Sequence, residues 1–283
     1  MHRARNASTR PQVDPRLMAA LWADLLPRLA RRRAPLLLGL SGLQGCGKST
    51  LARALVTQAR RCGIAAVTLS LDDVYLGRRA RLALARQVHP LLATRGVPGT
   101  HDLPLLHATL DALARCSPHQ PVRLPRFDKA RDTRRPPSRW PRLTRPPGLV
   151  VLEGWCLGLA AQSAASLVQP CNALERREDR DGRWRRWVNA RLAGYAPLWR
   201  RLDRLVLLQA PSWRIVARWR GEAEEWLRAR SGRAKRGMDA AALARFLQHY
   251  ERLSRHALAS LAARADRRFV LDARRRPRDL SRR

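Results

Sequence analysis

The residues whose chemistry is clearest lie at positions 42–50, in the glycine-rich segment GLQGCGKST. The segment fits the pattern G-x-x-x-x-G-K-[ST], in which backbone N–H groups surround the β-phosphate of a nucleoside triphosphate. Lys48 is then placed to neutralise the β- and γ-phosphates, and Ser49 to bind magnesium. A chance glycine-rich turn is the alternative, but the apolar run before the segment and the helical pattern after it favour a phosphate loop. The predicted nucleotide-binding residues are Gly42, Gln44, Gly45, Cys46, Gly47, Lys48, Ser49 and Thr50.

Acidic side chains follow two apolar runs further along the chain. Asp72 and Asp73 follow the run at residues 65–71, and Glu153 follows the run at residues 149–152. The carboxyl ends of parallel strands meet at one edge of a sheet, where ligands bind. Glu153 is therefore placed to hold magnesium, and Asp72 or Asp73 to accept the proton of a hydroxyl near the γ-phosphate. The alternatives are a helix cap for either aspartate and a strand-end carboxylate without a ligand for Glu153.

The phosphate loop alone does not separate kinases from GTPases, helicases or transport ATPases. The chain has no N-K-x-D guanine motif and no run of further helicase-like signatures. A carboxylate at the end of a second strand is what a kinase needs to accept a hydroxyl proton. These observations favour a kinase that acts on a small molecule.

The apolar pattern predicts the elements that position these groups. Short apolar runs predict strands at residues 36–41, 65–71, 122–125, 149–152, 205–209 and 269–271. Helical spacing predicts helices at residues 14–33, 49–61, 183–201, 213–230 and 240–263, and on both sides of residues 89–104. Strands that alternate with helices predict an α/β fold with a doubly wound, mostly parallel sheet and helices on both faces.

Two long segments are predicted to lack regular structure. Residues 89–104 contain three prolines and two glycines, and residues 126–147 are rich in arginine and proline. Loops of this length in a compact domain are usually functional or disordered. We predict a helical extension at residues 1–34, one nucleotide-binding domain at residues 35–273, and a disordered basic tail at residues 274–283.

The chain is strongly basic, with 57 Lys and Arg against 22 Asp and Glu and a net charge of +35. Such a charge is compatible with nucleic-acid binding through phosphate contacts. The only lysines, however, are Lys48, Lys129 and Lys235, and the arginines are spread through every predicted helix instead of one stripe. We therefore expect no specific nucleic-acid partner.

Cysteine usage and hydropathy predict the surroundings of the protein. The five cysteines include no C-x-x-C pair, which predicts reduced thiols without a disulfide framework or a zinc site. There is no uninterrupted apolar run of about 18 residues, and residues 1–12 lack the apolar stretch of a secretory signal. We expect a soluble, cytoplasmic protein without a membrane partner, and an organellar presequence is the alternative.

Several segments, in order along the chain, resemble the D-glycerate 3-kinase family within the superfamily of phosphoribulokinase, uridine kinase and pantothenate kinase. The resemblance covers residues 35–272. Besides the phosphate loop it includes SLDDVY at residues 70–75, HPLL at 89–92, RGVPGTHD at 95–102, PRFDKA at 125–130 and EGWC at 153–156, and it continues at residues 219–225 and 237–238. The RGVPGTHD and PRFDKA segments are far more specific than the phosphate loop.

The resemblance implies a P-loop kinase that uses ATP and Mg²⁺ to phosphorylate D-glycerate, giving 3-phospho-D-glycerate. Lys48 and Asp72 are then the catalytic residues, because Asp72 and not Asp73 aligns with the base of the motif S-x-D-x-F-Y. Val74 stands where an aromatic residue is usual. A nucleoside or pantothenate as the acceptor, and a non-catalytic ATP-binding protein with nucleic-acid affinity, remain alternatives, and the oligomeric state is open.

The resemblance also places acceptor-binding groups in the loops at residues 95–102 and 126–129. A guanidinium from Arg95 or Arg126 would hold the carboxylate of glycerate while Asp102 accepts a hydrogen bond from a hydroxyl. Ion pairs that stabilise the loops are the alternative. The predicted acceptor-binding residues are Asp73, Tyr75, Arg95, His101, Asp102, Arg126, Asp128 and Lys129, and the predicted residues of a basic lid over the phosphates are Arg214, Arg218 and Lys235.

Overall fold

A six-stranded sheet lies at the centre of the computed structural model, which describes residues 13–32, 34–230 and 238–279. The strands, in chain order, are β1 (Leu36–Gly42), β2 (Ala66–Ser70), β3 (Val122–Arg123), β4 (Phe127–Asp128), β5 (Thr133–Arg134), β6 (Arg142–Leu143), β7 (Leu149–Gly154), β8 (Arg204–Gln209), β9 (Arg267–Leu271) and β10 (Pro277–Asp279). The order across the sheet is β10-β9-β8-β1-β7-β2. Every residue of β1 is buried, as expected for the centre of a sheet that is covered on both faces.

Most neighbours in this sheet run parallel. β1 pairs in parallel with β7 and β8, β2 with β7, and β9 with β8, whereas β10 is antiparallel to β9. The predicted α/β fold with a mostly parallel sheet is therefore confirmed. The parallel arrangement brings the phosphate loop after β1, the aspartates after β2 and Glu153 in β7 to one edge of the sheet.

Helices flank the sheet. They are α1 (Pro15–Ala30), α2 (Lys48–Arg61), α3 (Arg78–Gln87), α4 (Leu103–Ala114), α5 (Ala173–Glu178), α6 (Arg183–Ala193), α7 (Ala196–Arg200), α8 (Ile215–Arg230) and α9 (Ala240–Ser260). The four-residue spacing of Leu17, Leu21 and Leu25 buries one side of α1 in the core. Within the described part of the chain, none of these helices combines the length and the apolarity that crossing a bilayer requires.

The structure differs from the predicted elements in three places. The predicted helix at residues 183–201 is two helices, α6 and α7, which meet at Gly194 and Tyr195. Glycine is a poor helix former, and a proline at the start of α7 favours a new helix. The short helix α5 was not predicted. The predicted loop at residues 126–147 contains short ladders, in which β4 pairs with β5 and β6 pairs with β3.

The tail at residues 274–283, for which disorder was predicted, is described by the structure as far as residue 279. A turn after β9 is held by the carboxylate of Asp272, whose Oδ1 accepts hydrogen bonds from the backbone N–H groups of Arg274 and Arg276 at 2.8 Å each. The chain then returns along β9 as β10. Charge composition suggested a solvated tail, but the capping aspartate and the free edge of β9 supply hydrogen-bond partners for its backbone. Residues 280–283 lie outside the described residues.

Candidate active site

The phosphate loop connects β1 to α2 in the way its glycines predict. Gly45 and Gly47 have φ angles of +81° and +99°, in the left-handed region that favours glycine. Gly47 directly precedes Lys48, the first residue of α2, and among the described residues no side chain caps this helix start. The backbone N–H groups of the first turn are thus directed toward an anion-binding position at the positive end of the helix dipole.

Two side chains of the loop have the properties of phosphate ligands. The ammonium group of Lys48 donates to the carbonyl of Leu43 at 3.0 Å, and the side chain is almost completely buried. The amide of Gln44 is buried without a hydrogen-bond partner among the described residues. A buried amide without a partner is costly, and a phosphate oxygen would accept from its nitrogen.

Ser49 and Glu153 lie together beside the loop. The hydroxyl of Ser49 donates to Oε1 of Glu153 at 2.8 Å, which joins the start of α2 to the end of β7. A hydroxyl and a carboxylate are the oxygen donors that Mg²⁺ prefers, and Mg²⁺ is usually held by few protein groups together with water and phosphate. The residues present therefore fit the predicted magnesium site.

Asp72 is positioned by a turn that follows β2. The hydroxyl of Ser70 accepts a hydrogen bond from the backbone N–H of Asp72 at 3.2 Å and caps the short 3-10 turn Leu71–Val74. The hydroxyl of Tyr75 donates to Oδ1 of Asp72 at 2.6 Å. The ammonium group of Lys129 lies 2.5 Å from Oδ2. The carboxylate is therefore oriented by one neutral and one charged donor.

These contacts decide the protonation of Asp72. Burial acts to raise its pKa, but the charge and hydrogen bond of Lys129, with the hydrogen bond of Tyr75, outweigh burial and hold the pKa well below its ordinary value. The nearby carboxylate in turn raises the pKa of Lys129. Asp72 is thus ionised and able to accept a proton.

Asp73 faces a different segment. Its carboxylate accepts from Nη1 of Arg126 and from the backbone N–H of Phe127, both at 3.2 Å. Burial raises the pKa of Asp73, and the Arg126 guanidinium opposes this effect. In this structure Asp73 and Arg126 anchor the segment that carries Lys129.

A cavity of about 180 Å³ is lined by most of the side chains described above. It lies between the phosphate loop, the turn after β2, the end of β7 and the helices α8 and α9. The residues that line it are Gln44, Gly45, Lys48, Ser49, Asp72, Tyr75, Arg95, Lys129, Glu153, Gly154, Trp155, Arg220, Phe246 and Tyr250. The structure therefore brings some predicted residues of each kind, nucleotide, metal, base and acceptor, to one place, although they come from five separate segments.

Two aromatic side chains hold the loop at residues 95–102 beside the cavity by hydrogen bonds. The hydroxyl of Tyr250 donates to the carbonyl of Arg95 at 2.8 Å, and Nε1 of Trp155 donates to the carbonyl of Gly96 at 3.0 Å. Gly96 has a φ angle of +121°, and a Cβ at this position would lie 1.8 Å from the Tyr250 hydroxyl. Glycine is required here for both the backbone conformation and the close approach.

Arg95 lines the cavity but also has a protein partner. Its Nη1 lies 2.5 Å from Oδ1 of Asp132, and the other oxygen of Asp132 pairs with the buried guanidinium of Arg81. The Arg95 guanidinium also lies over the ring of Phe127, 5.7 Å from its centroid. One carboxylate therefore connects the loop at residues 95–102 to the loop at residues 126–135.

The predicted acceptor residues that do not line the cavity are Asp73, His101, Asp102, Arg126 and Asp128. Asp102 caps α4, and its Oδ2 lies 2.9 Å from Nη2 of Arg134. Asp128 accepts from the backbone N–H groups of Ala130 and Arg131 at 3.1 Å each. These contacts order the two loops, and an acceptor-binding role for Asp102, Asp128 or Arg126 stays a prediction.

His101 lies behind the base. Its ring stacks on Tyr75 with 4.9 Å between centroids, and its Nδ1 lies 2.7 Å from the Tyr195 hydroxyl. The same hydroxyl accepts a hydrogen bond from the N–H of Gly99 at 3.1 Å, and the tautomer of the His101 ring sets which group donates in the pair with Nδ1. Burial lowers the pKa of His101 to about 4, and the ring is therefore neutral at physiological pH.

The sequence assigned no role to five residues that line the cavity: Gly154, Trp155, Arg220, Phe246 and Tyr250. Gly154 and Trp155 lie in the segment at residues 153–156 and Arg220 in the segment at residues 219–225, and the family resemblance of these two segments was the available signal. Phe246 and Tyr250 share one face of α9 at four-residue spacing, a pattern that indicates only a buried face.

The predicted lid residues do not line the cavity in the described part of the chain. Arg214 is exposed, and Arg218 donates to the carbonyl of Ala273 and lies 3.4 Å from Glu222. On the same helix, Arg220 lines the cavity instead and pairs with Glu224 at 2.6 Å. Lys235 lies outside the described residues.

Comparisons with known proteins identify similar kinases. No family model matches the chain. The chain is 34% identical over 229 residues to the uncharacterized kinase mug58 of Schizosaccharomyces pombe, a match that covers 76% of this chain and 78% of that protein. It is 33% identical over 199 residues to the chloroplastic D-glycerate 3-kinase of Arabidopsis thaliana, covering 67% of this chain and 41% of that protein.

A solved structure agrees with these relatives. The structure is similar to that of D-glycerate 3-kinase from Cryptococcus neoformans, with a TM-score of 0.75 and 25% sequence identity. The superposition covers 93% of this chain and 98% of that chain.

Proposed function

This chain belongs to the D-glycerate 3-kinase family of P-loop kinases, and we propose that it transfers the γ-phosphoryl group of ATP to D-glycerate, giving 3-phospho-D-glycerate. As a member of this family it is an ATP-dependent kinase that acts on a small molecule. The observation that carries the choice of acceptor is the shared cavity, in which the base Asp72 and the cations Lys129 and Arg95 lie beside the phosphate loop.

The charge of the cavity favours a small anionic acceptor. Two cations, Lys129 and Arg95, line it beside the phosphate loop. The two cations come from the loops at residues 95–102 and 126–135, so a carboxylate between them would be bound from two sides. Binding by both loops would orient the acceptor with one hydroxyl toward Asp72 and the γ-phosphate.

The protein residues divide the work of transfer between them. Asp72 accepts the proton of the attacking hydroxyl, and the hydrogen bond from Tyr75 to Oδ1 fixes the orientation of this carboxylate. Lys48 and the N–H groups of the phosphate loop hold the β- and γ-phosphates. Because the transfer needs no covalent intermediate, positioning and charge neutralisation supply most of the catalysis.

We also propose that Ser49 and Glu153 hold the magnesium ion of Mg-ATP. When bound, the ion neutralises charge on the β- and γ-phosphate oxygens. Removal of divalent cations by a chelator should abolish turnover, and Glu153→Gln should raise the magnesium concentration needed for half-maximal rate.

The deciding experiment is an ADP-release assay over D-glycerate, L-glycerate, uridine, pantothenate and ribulose 5-phosphate. We expect the highest kcat/KM with D-glycerate, and ³¹P and ¹H NMR of the product should place the phosphate on the 3-hydroxyl. A higher kcat/KM with uridine or pantothenate would assign the chain to another acceptor. ATP binding without turnover of any acceptor would support the non-catalytic alternative.

Two expectations from composition stay predictions. The scattered arginines predict only nonspecific nucleic-acid binding that salt weakens. A cytoplasmic location likewise stays a prediction.

A further inference from the structure

The C-terminal segment contacts the phosphate loop through the side chain of Arg275. Its Nε donates a hydrogen bond to the backbone carbonyl of Gly45 at 2.7 Å, although 230 positions separate the two residues in sequence. Gly45 lines the cavity, whereas Arg275 is not among the residues that line it. The proposed transfer step does not use this contact.

Arg275 is held in place by α8. Its guanidinium lies over the ring of Trp219, 5.2 Å from the centroid, and its Nη1 lies 2.7 Å from Oε2 of Glu222. Trp219 is fully buried, and Glu222 follows it on the next turn of the helix. A single guanidinium therefore joins α8 to the phosphate loop by stacking, by an ion pair and by a hydrogen bond.

The backbone turn that carries Arg275 is held by contacts that do not involve the Arg275 side chain. Arg275 has a φ angle of +67°, which is uncommon for a residue other than glycine. The turn around it is held by the Asp272 carboxylate, as described above, and by Nε1 of Trp219, which donates to the carbonyl of Ala273 at 3.0 Å. Replacement of the Arg275 side chain should therefore leave this turn in place.

On the other side of the contact, the peptide between Gly45 and Cys46 is held at both ends. Arg275 holds the carbonyl, and the N–H of Cys46 donates to the carbonyl of Leu43 at 3.3 Å. A Cβ at Gly45 would lie 2.6 Å from Cβ of Trp219, so α8 packs directly against this peptide. A phosphate loop binds through N–H groups in fixed directions, and a rotated peptide would lose part of that binding.

We propose that Arg275 is a positioning residue for ATP, which fixes the Gly45 peptide of the phosphate loop and couples it to α8. The inference rests on the ATP dependence of the proposed function and not on the identity of the acceptor. Because α8 also carries Arg220 into the cavity wall, the same contact sets the position of that guanidinium relative to the phosphates.

The test compares Arg275→Ala and Arg275→Lys with two controls, Arg276→Ala and Arg278→Ala, which remove the same charge from neighbouring exposed positions. Binding of a non-hydrolysable ATP analogue is measured by calorimetry without acceptor, and KM is measured separately for ATP and for D-glycerate. We expect Arg275→Ala to weaken analogue binding and raise the KM for ATP roughly ten-fold, equal to about 1.4 kcal/mol. The KM for D-glycerate should not change.

Arg275→Lys should recover only part of the affinity, because an ammonium group cannot stack on Trp219 and bind both Gly45 and Glu222. Equal analogue affinities of Arg275→Ala and Arg276→Ala would overturn the proposal. An equal loss in all three alanine variants would also overturn it, because the cause would then be the general positive charge.

If Arg275→Ala does not fold, Arg275→Lys and Glu222→Gln decide the question. Unchanged analogue affinity in both variants would overturn the proposal, and reduced affinity in both would support it. If the wild-type chain binds the analogue but does not phosphorylate D-glycerate, only the proposed acceptor is rejected, because the comparison of analogue affinities does not depend on it.

Discussion

The ammonium group of Lys129 lies 2.5 Å from Oδ2 of Asp72, so a lysine of one loop neutralises the carboxylate that follows β2. The side chain of Lys129 is 59% exposed, whereas that of Asp72 is only 28% exposed. An acceptor carboxylate that enters the cavity can therefore reach Lys129 while the base stays largely shielded from water. The pair links acceptor binding to the protonation of the base.

Replacement of Lys129 by Met should shift the pH dependence of the reaction. Without the lysine charge, burial is opposed mainly by Tyr75, and the pKa of Asp72 rises. Because the base works only when ionised, the acidic limb of kcat/KM should move to higher pH, by roughly 1 unit or more. The measurement is a pH–rate profile, with Lys129→Arg as the control that keeps the charge and leaves the limb in place. An unmoved limb in Lys129→Met would contradict the assignment.

Asp72→Asn should lower kcat by roughly a hundred- to ten-thousand-fold, the range for removal of a general base, without weakening ATP binding. Asp73→Asn should act differently, because Asp73 binds Arg126 and Phe127 and so positions the segment that carries Lys129. We expect it mainly to raise the KM for the acceptor. Steady-state kinetics of both variants test this. A large loss of kcat in Asp73→Asn, with a nearly normal kcat in Asp72→Asn, would show that Asp73 and not Asp72 is the base.

Lys48→Ala should abolish turnover and sharply weaken ATP binding, because Lys48 neutralises the phosphates in the proposed complex. The fold should be preserved, since the side chain serves the phosphate loop. Nucleotide binding and thermal unfolding would be measured beside Arg53→Ala, which removes an exposed cation from the same helix. Near-normal activity of Lys48→Ala would contradict the assignment of residues 42–50 as a phosphate loop in which Lys48 neutralises the phosphates.

Gly96→Ala should destabilise the protein by about 3 kcal/mol or more, from a strained backbone together with overpacking against Tyr250. The control is Gly63→Ala, because Gly63 has a φ angle of +74° but nothing within 4 Å of an added Cβ. This control should cost only the backbone strain, about 1–2 kcal/mol. Urea unfolding of both variants gives the difference, and equal losses would show that the contact with Tyr250 is unimportant.

His249 should make the free energy of unfolding depend on pH. Burial lowers its pKa to about 4, with an added effect of Arg245, while Glu178 opposes the shift. A histidine whose pKa is lowered in the folded state adds full stability above about pH 6.5, and this stability is lost as pH falls toward the folded pKa. Wild type should therefore lose about 2 kcal/mol more between pH 7 and pH 5 than His249→Phe, which keeps an aromatic ring against Trp184. Urea titrations at the two pH values measure the free energy of unfolding of both proteins. An equal loss in wild type and His249→Phe would contradict this prediction.

Local patterns in the sequence were sufficient for the framework of the protein. The apolar runs around Leu38 and Val151 predicted buried strands, and the glycines before Lys48 predicted a phosphate loop, because each signal lies within one short segment. The parallel fold then follows from the alternation of strands and helices, and it brings Asp72 and Glu153 to the same edge. The family resemblance added the choice of Asp72 over Asp73.

Only the tertiary structure decided which charged groups pair and which face the cavity. Asp132 pairs with Arg81 and Arg95, Tyr250 donates to the carbonyl of Arg95, and Arg275 donates to the carbonyl of Gly45 from the far end of the chain. Arginine is so frequent in this sequence that its type and local spacing could not identify these partners. Such contacts depend on distances between segments that are remote in the sequence, and those distances exist only once the sheet and helices have packed.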